Sequence, residues 1–189
     1  MALRNTTTGY GAVAKLLHWL IAFGMIGIVV LGMVMHELDP FNGSWLGYTT
    51  FQLYQFHKSV GFTLMALVVV RLIWKMSNPT PELPSGMKSW EAFLAKSVHI
   101  ALYVALIGMP ITGWLMVSAS PFQIPSSYFG LFNVPHLLGP SEQLEAIFMT
   151  LHDLLGKLLI AALVLHVAGA LKHHFVEKDD VLKRMLPGN

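Results

Sequence analysis

Residues Leu16 to Met35, LLHWLIAFGMIGIVVLGMVM, form a run of twenty residues without an Asp, Glu, Lys or Arg. About twenty apolar residues are what a helix needs to cross ~30 Å of hydrocarbon, so this run predicts a membrane-spanning helix. It is longer than the core of a usual signal peptide and further apolar stretches follow it, so we expect it to be retained. Of the 189 residues, 54% are hydrophobic and only 12% are charged, which excludes an ordinary soluble domain.

Three further apolar stretches predict three more membrane helices, which gives spans at about 16–35, 51–74, 97–117 and 149–171. The second contains Lys58 and Arg71 near its two ends, and their long side chains can reach the interface. The third contains Pro110, which predicts a kink. The fourth contains Asp153 and Lys157, four residues apart and able to pair on one helix face. The predicted fold class is therefore all-α, an integral membrane four-helix bundle, in a single domain over 1–189 that ends in a short tail, 172–189.

The distribution of positive charge predicts how the helices are oriented. Ten of the twelve Lys and Arg residues flank the N-terminus, the second connection or the C-terminal tail. The positive-inside rule then places both termini in the cytoplasm. The net charge of +2 is concentrated on this side, and it indicates membrane topology and not nucleic-acid binding. The longest connection, Ser118 to Thr150, lies on the outer side, where it can cap that face, and it contains a predicted helix start at Ser141.

The chain contains no cysteine. This excludes iron–sulfur clusters, disulfides and a haem attached through a Cys-x-x-Cys-His motif. A haem in this chain must therefore be held by side-chain coordination alone.

Histidines at two depths of the predicted bundle are the candidate ligands of two haems. On the fourth helix, His152 and His166 are fourteen residues apart, a separation that returns to within about 40° of the same face and rises ~21 Å. With the topology above, His57 and His152 face each other in an outer layer, and His18 and His166 do so in an inner layer. Each pair can fill both axial positions of a haem iron.

The residue four positions after each of these histidines is small. These residues are Ala22, Gly61, Gly156 and Ala170. A porphyrin that stands parallel to the helices would press on that turn, and Gly or Ala lets it approach the backbone. The pattern therefore favours the same four histidines as ligands.

Two other histidines compete for these roles. His36 follows His18 by eighteen residues, at almost the same helical angle and in the outer layer, so it can replace His57. Glu37 comes directly after it and indicates an exposed helix end instead. His99 competes with His18 in the inner layer. We interpret it as a neighbour of a haem propionate or of a quinone site, and a structural role explains it equally well.

Three basic side chains are candidates for roles around the haems. Arg71 can neutralise a propionate of the inner haem through charge-assisted hydrogen bonds, or it can serve only as a positive-inside anchor. Lys58 and Lys157 flank the outer pair and would make that entrance cationic, so that an anion is drawn to it. The alternative for both lysines is pairing with Asp153 or with haem propionates.

Several short motifs follow one another in a specific order and spacing. They are His18-Trp19, His57-Lys58-Ser59-Val60-Gly61, Leu165-His166, Ala170-Leu171-Lys172-His173-His174-Phe175, and the tail Glu177-Lys178-Asp179-Asp180-Val181-Leu182-Lys183-Arg184-Met185. With these motifs the chain resembles the bacterial cytochrome b561 family over nearly its whole length.

The resemblance implies a four-helix protein of the bacterial inner membrane that holds two non-covalent b-type haems. It implies His57 and His152 as ligands on the periplasmic side, and His18 and His166 on the cytoplasmic side. It also implies electron transfer to the quinone pool and, as in some members, oxidation of periplasmic superoxide with ubiquinone as the acceptor. One alternative is a haem b subunit that passes electrons between a periplasmic partner or dehydrogenase and the quinone pool. A third, of a different class, is a non-redox metal or proton transporter that uses the histidines directly.

Overall fold

The computed structural model describes residues 2–84 and 86–187 and is mostly helical. Its four long helices are α1 (Ala12–Glu37), α2 (Thr50–Met76), α3 (Ser89–Ala119) and α4 (Glu142–Lys172). All four are long and apolar enough to cross a membrane. The prediction of an all-α membrane four-helix bundle is thereby confirmed, and each helix contains one predicted span.

The helices α3 and α4 begin seven or eight residues before the predicted spans, because polar residues start them outside the uncharged runs. At α3, the Glu91 carboxylate accepts a hydrogen bond from the Lys88 backbone N–H at 3.1 Å, the return half of a capping box. At α4, the Ser141 hydroxyl accepts one from the Leu144 N–H at 3.3 Å, as an N-cap does. The helix start predicted at Ser141 is therefore confirmed.

Two short β-hairpins in the connections were not expected from the sequence. Strands β1 (Ser44–Trp45) and β2 (Tyr48–Thr49) pair antiparallel, and so do β3 (Ser126–Tyr128) and β4 (Phe132–Val134). Both turns place an apolar residue followed by glycine at positive φ, with 50° and 83° at Leu46-Gly47 and 47° and 76° at Phe129-Gly130. Hairpin turns of this kind usually contain Asn or Asp before the glycine, so neither turn could be predicted from its residues.

The contacts divide the chain into two compact units. Unit 1 comprises Met1–Ile21, Leu67–Ala105 and Lys157–Asn189, and unit 2 comprises Ala22–Ala66 and Leu106–Gly156. Each unit contains a part of all four helices. Unit 2 contains both hairpins, and unit 1 contains the connection between α2 and α3.

In unit 1, residues Met185 and Leu186 are hydrogen-bonded to α1. The Lys15 ammonium donates to the Leu186 carbonyl at 2.9 Å, and the Trp19 indole N–H donates to the Met185 carbonyl at 2.9 Å. Lys15 is almost fully buried. A buried ammonium is costly unless it is hydrogen-bonded, so this contact fixes the tail against α1.

In unit 2, glycines allow the helices to approach closely. A Cβ atom at Gly24 of α1 would lie 2.8 Å from Leu64 Cδ2 of α2, and one at Gly108 of α3 would lie 2.8 Å from Leu155 Cδ1 of α4. Small residues at such points let membrane helices pack backbone to side chain. The pairs α1–α2 and α3–α4 therefore have a fixed register, which positions the histidines described next.

Candidate functional site

In unit 2, two predicted ligands fit against glycines of neighbouring helices. His57 of α2 and His152 of α4 are close enough to act electrostatically on each other. A Cβ atom at Gly32 of α1 would lie 3.3 Å from His57 Cε1, and one at Gly113 of α3 would lie 3.2 Å from His152 Cε1. Any larger residue at either glycine would push the imidazole aside.

Neither glycine was predicted from the sequence. The small residues one turn further along the histidine's own helix, Gly61 and Gly156, would meet only ordinary van der Waals neighbours at 3.7 Å. Gly32 and Gly113 lie on the partner helices, and finding them requires the register between helices. The antiparallel register of α1 and α2 would have been the only signal available.

The orientation of His152 is set by hydrogen bonds to α3. Its Nδ1 lies 3.0 Å from the Met109 carbonyl oxygen and 3.2 Å from Thr112 Oγ1. The Thr112 hydroxyl in turn donates to the Gly108 carbonyl at 2.8 Å. Since a carbonyl can only accept, Nδ1 carries the proton and donates it, which leaves Nε2 as the nitrogen for a metal. This is the usual arrangement of a metal-binding histidine.

The partner imidazole, His57, has a buried nitrogen with no hydrogen bond. Its Nδ1 is enclosed and lacks a partner among the described residues. Buried polar atoms in proteins nearly always have a partner, and an exception needs an explanation. The ring therefore has a nitrogen to offer to a group outside the protein chain. The residues of unit 2 therefore fit a haem with two histidine ligands.

In unit 1, the imidazole of His166 lies beside those of His18 and His99. The ring centres of His18 and His166 are 6.1 Å apart, and those of His99 and His166 are 5.0 Å apart. Two imidazoles that clamp one metal at about 2 Å each have ring centres roughly 6 Å apart. His99 Nδ1 lies 2.7 Å from the Ala95 carbonyl oxygen, so this ring also donates at Nδ1 and leaves Nε2 open. The structure thus brings together the predicted pair and its rival.

Basic side chains lie beside these three imidazoles. Arg71 is close enough to act electrostatically on all of them, and its Nε donates to the Tyr103 hydroxyl at 3.2 Å. Lys75 Nζ lies 5.3 Å from the centre of the Tyr103 ring. Burial raises the pKa of Tyr10, and the nearby charge of Arg71 opposes that rise. Arg71 therefore lies beside these imidazoles, and its role in binding a haem propionate stays a prediction. Tyr10 was not predicted from its sequence context.

The two lysines predicted at the outer entrance lie in different surroundings. Lys58 is half-buried in unit 2, with Nζ 3.4 Å from the Pro125 carbonyl oxygen. Lys157 is exposed on α4 and belongs to unit 1. The cationic entrance formed by both lysines stays a prediction.

The remaining histidines occupy other positions. His36 is exposed in the last turn of α1, as its sequence context indicated. His173 Nδ1 pairs with Asp179 Oδ2 at 2.6 Å beyond the end of α4. His174 Nδ1 is buried without a partner among the described residues. Across residues 2–84 and 86–187, no group of three or more His, Cys, Asp or Glu side chains is placed to hold a metal ion directly.

Comparison with known proteins matches the chain over nearly its full length. The family described as prokaryotic cytochrome b561 matches residues 9–188. Cytochrome b561 homolog 2 of Escherichia coli (strain K12) is 34% identical over 186 residues, which cover 98% of this chain and 95% of that protein. Cytochrome b561 homolog 1 of the same organism is 29% identical over 174 residues, with 90% and 93% covered. The probable superoxide oxidase CybB of Yersinia pestis is 28% identical over 177 residues, with 90% and 92% covered.

Proposed function

The chain belongs to the prokaryotic cytochrome b561 family, and on this premise we propose that it oxidises superoxide at the periplasmic face of the inner membrane and reduces ubiquinone. Membership of the family makes the chain a bacterial membrane protein that binds haem b and transfers electrons. The resemblance found in the sequence is thereby confirmed. The number of haems, the electron donor and the electron acceptor belong to the proposal.

We assign two haem b groups to the two histidine pairs, His57 with His152 and His18 with His166. The observation that carries this assignment is the separation of 6.1 Å between the His18 and His166 ring centres, which suits two ligands of one iron. The glycine-backed, partly unpaired imidazoles of unit 2 support the second site. Each bound haem would supply a one-electron carrier, and two nitrogen ligands per iron favour outer-sphere transfer over oxygen binding.

The side chains of the protein have three tasks in this function. The histidines bind and orient the cofactors, and Thr112 with the Met109 carbonyl holds His152 in one tautomer. Arg71 binds a propionate. Lys58, a cation beside the unit 2 pair, raises the local concentration of an anion such as superoxide.

The proposed reaction balances with a two-electron acceptor. Two superoxide anions each lose one electron and become dioxygen, while one ubiquinone takes up two electrons and two protons and becomes ubiquinol. The name of the Yersinia pestis relative supports superoxide as the donor. The concentration of Lys and Arg at the termini and the second connection supports a cytoplasmic location for both ends.

The reaction is tested with the purified chain, ubiquinone and a source of superoxide. We expect superoxide to be consumed and ubiquinol to form in a two-to-one ratio, and a pyridine haemochrome assay to give two haem b per chain. Reducible haem without superoxide consumption would instead support the electron-transfer subunit. A colourless protein from haem-sufficient cells would support the non-redox transporter.

The ligand assignment is tested by alanine variants. His57→Ala should lower the haem content to one per chain, whereas His36→Ala should leave it at two. In unit 1, His18→Ala should remove one haem, whereas His99→Ala should retain both. A reversed pattern in either pair would show that the wrong histidine was chosen.

A further inference from the structure

The connection between α3 and α4 has an unusual composition for a segment beyond a membrane helix. No Asp, Glu, Lys or Arg occurs between Lys96 and Glu142. The hairpin β3–β4 lies in this connection, and three of its apolar side chains are largely exposed: Phe129, Leu131 and Phe132 are 48%, 77% and 59% exposed. A patch of this kind in an uncharged segment is typical of a surface covered by lipid or by another protein.

The register of the helices shows how deep this hairpin lies. Along unit 2, Gly24 of α1 contacts Leu64 of α2, Ile28 lies against Gly61, and Gly32 lies against His57. The position between Gly61 and His57 on α2 is thus level with the middle of the segment between Ile28 and Gly32 on α1.

The turn of the hairpin is attached at this level. The Phe129 backbone N–H donates to the Ser59 hydroxyl at 3.0 Å, and the Tyr128 hydroxyl lies 3.0 Å from Thr63 Oγ1, one turn deeper. Ser59 is level with about Val30, five residues before the uncharged run of α1 ends at Met35. At ~1.5 Å per residue, the turn lies about 7 Å inside the apolar length of α1.

The β3 edge of the hairpin is hydrogen-bonded to side chains of α2. The Ser127 N–H donates to Gln55 Oε1 at 3.0 Å, and the Ser59 hydroxyl donates to the Ser127 carbonyl at 3.1 Å. Gln55 Nε2 also donates to the Pro125 carbonyl at 2.8 Å. The β3 edge that faces α2 is therefore paired with side chains of that helix, and the β4 strand pairs its other edge. Non-helical backbone is tolerated within a membrane only when its polar groups are paired in this way.

From these observations we propose that the β3–β4 hairpin is a re-entrant element embedded in the bilayer, with Phe129, Leu131 and Phe132 in contact with lipid acyl chains. A groove of about 290 Å³ between the start of α2 and the hairpin turn is lined on its apolar side by Phe51, Phe56 and Phe129. An acyl chain can bind in this groove, directly beside the turn of α2 that contains His57.

The experiment uses the absence of cysteine from the chain. Single-cysteine variants Leu131→Cys, Val30→Cys and Asn42→Cys are labelled with a nitroxide in the haem-loaded protein and reconstituted into phosphatidylcholine vesicles. Val30, half-exposed on α1, is the lipid reference, and Asn42, exposed in the connection after α1, is the water reference. Power saturation measures how often each label collides with oxygen, which is enriched in lipid, and with a water-soluble nickel chelate.

We expect the ratio of oxygen to nickel collisions at Leu131 to match that at Val30 and to exceed that at Asn42 severalfold. A ratio equal to that at Asn42 would overturn the proposal, because the hairpin would then lie in water. Protection from both reagents would also overturn it and would indicate a second copy of the chain on this surface. If Leu131→Cys lowers the haem content, Phe132→Cys provides the same measurement at the neighbouring exposed position.

Discussion

The contact between Gly32 and His57 leads to a quantitative prediction for Gly32→Ala. The new methyl group would start 3.3 Å from His57 Cε1. Carbon atoms pack best at about 3.5–4.0 Å, so the imidazole must withdraw by roughly 0.4 Å. Metal sites tolerate about 0.2 Å of change in ligand distance. We therefore expect the haem of unit 2 to bind about 10- to 100-fold more weakly, the range seen when the support of a metal ligand is lost.

The measurement is a haem titration of the apoprotein followed by absorbance, with Gly27→Ala as the matched control. Gly27 is an exposed glycine of the same helix, and a Cβ atom there would meet no atom within 4 Å. We expect the control to bind two haems as tightly as the unchanged protein, and Gly32→Ala to keep one tight site. Two tight sites in Gly32→Ala would refute the inference that this glycine supports a haem ligand.

Three further predictions concern single polar side chains. Lys58→Gln should slow the superoxide reaction about two- to threefold at low ionic strength and little at high salt. An effect that does not depend on salt would contradict electrostatic attraction of superoxide by Lys58. An equal effect of Lys88→Gln, which removes an exposed lysine, would contradict it as well. Thr112→Val should raise the reduction potential of one haem, on the order of tens of millivolts. His152 loses a hydrogen-bond acceptor at 3.2 Å, so its imidazole becomes less electron-rich. A redox titration in which the potentials of both haems shift equally would argue against this. Ser59→Ala should destabilise unit 2 by about 1–3 kcal/mol, because the Phe129 N–H and the Ser127 carbonyl lose their buried partner. Thermal unfolding in detergent measures this loss, and Ser97→Ala, whose hydroxyl contacts only its own helix, is the control.

Much of the fold could be predicted because a bilayer imposes a simple physical requirement. An uncharged run such as Leu16 to Met35 has no stable alternative to a membrane helix, so the number of helices and their centres follow from hydrophobicity. The ends of the helices do not follow from hydrophobicity, because α3 and α4 begin in polar turns that are stabilised by caps at Lys88 and Ser141. Caps depend on local hydrogen bonds, which hydrophobicity does not report.

The candidate site was predictable in its residue types and not in its surroundings. Histidine within a membrane span is costly and therefore indicates function, which made His57 and His166 candidate ligands. Gly32 and Thr112 were not predicted because each lies on a different helix from the histidine that it contacts. Tyr10 was not predicted because it lies before α1, far in sequence from Arg71, the side chain whose charge acts on it. The hairpin turn at Phe129 escaped for another reason, since an apolar residue at positive φ carries no turn signal.

The hydrogen bond between Lys15 and Leu186 joins segments of unit 1 that are synthesised far apart in time. Lys15 and Leu186 are 171 residues apart, and both proposed ligand pairs include a histidine from α4. Neither proposed cofactor site is therefore complete until α4 has been synthesised and has entered the bilayer. Before that step, His18 and His57 lack the second ligand of each proposed pair, so haem binding by two histidines can only follow the insertion of α4.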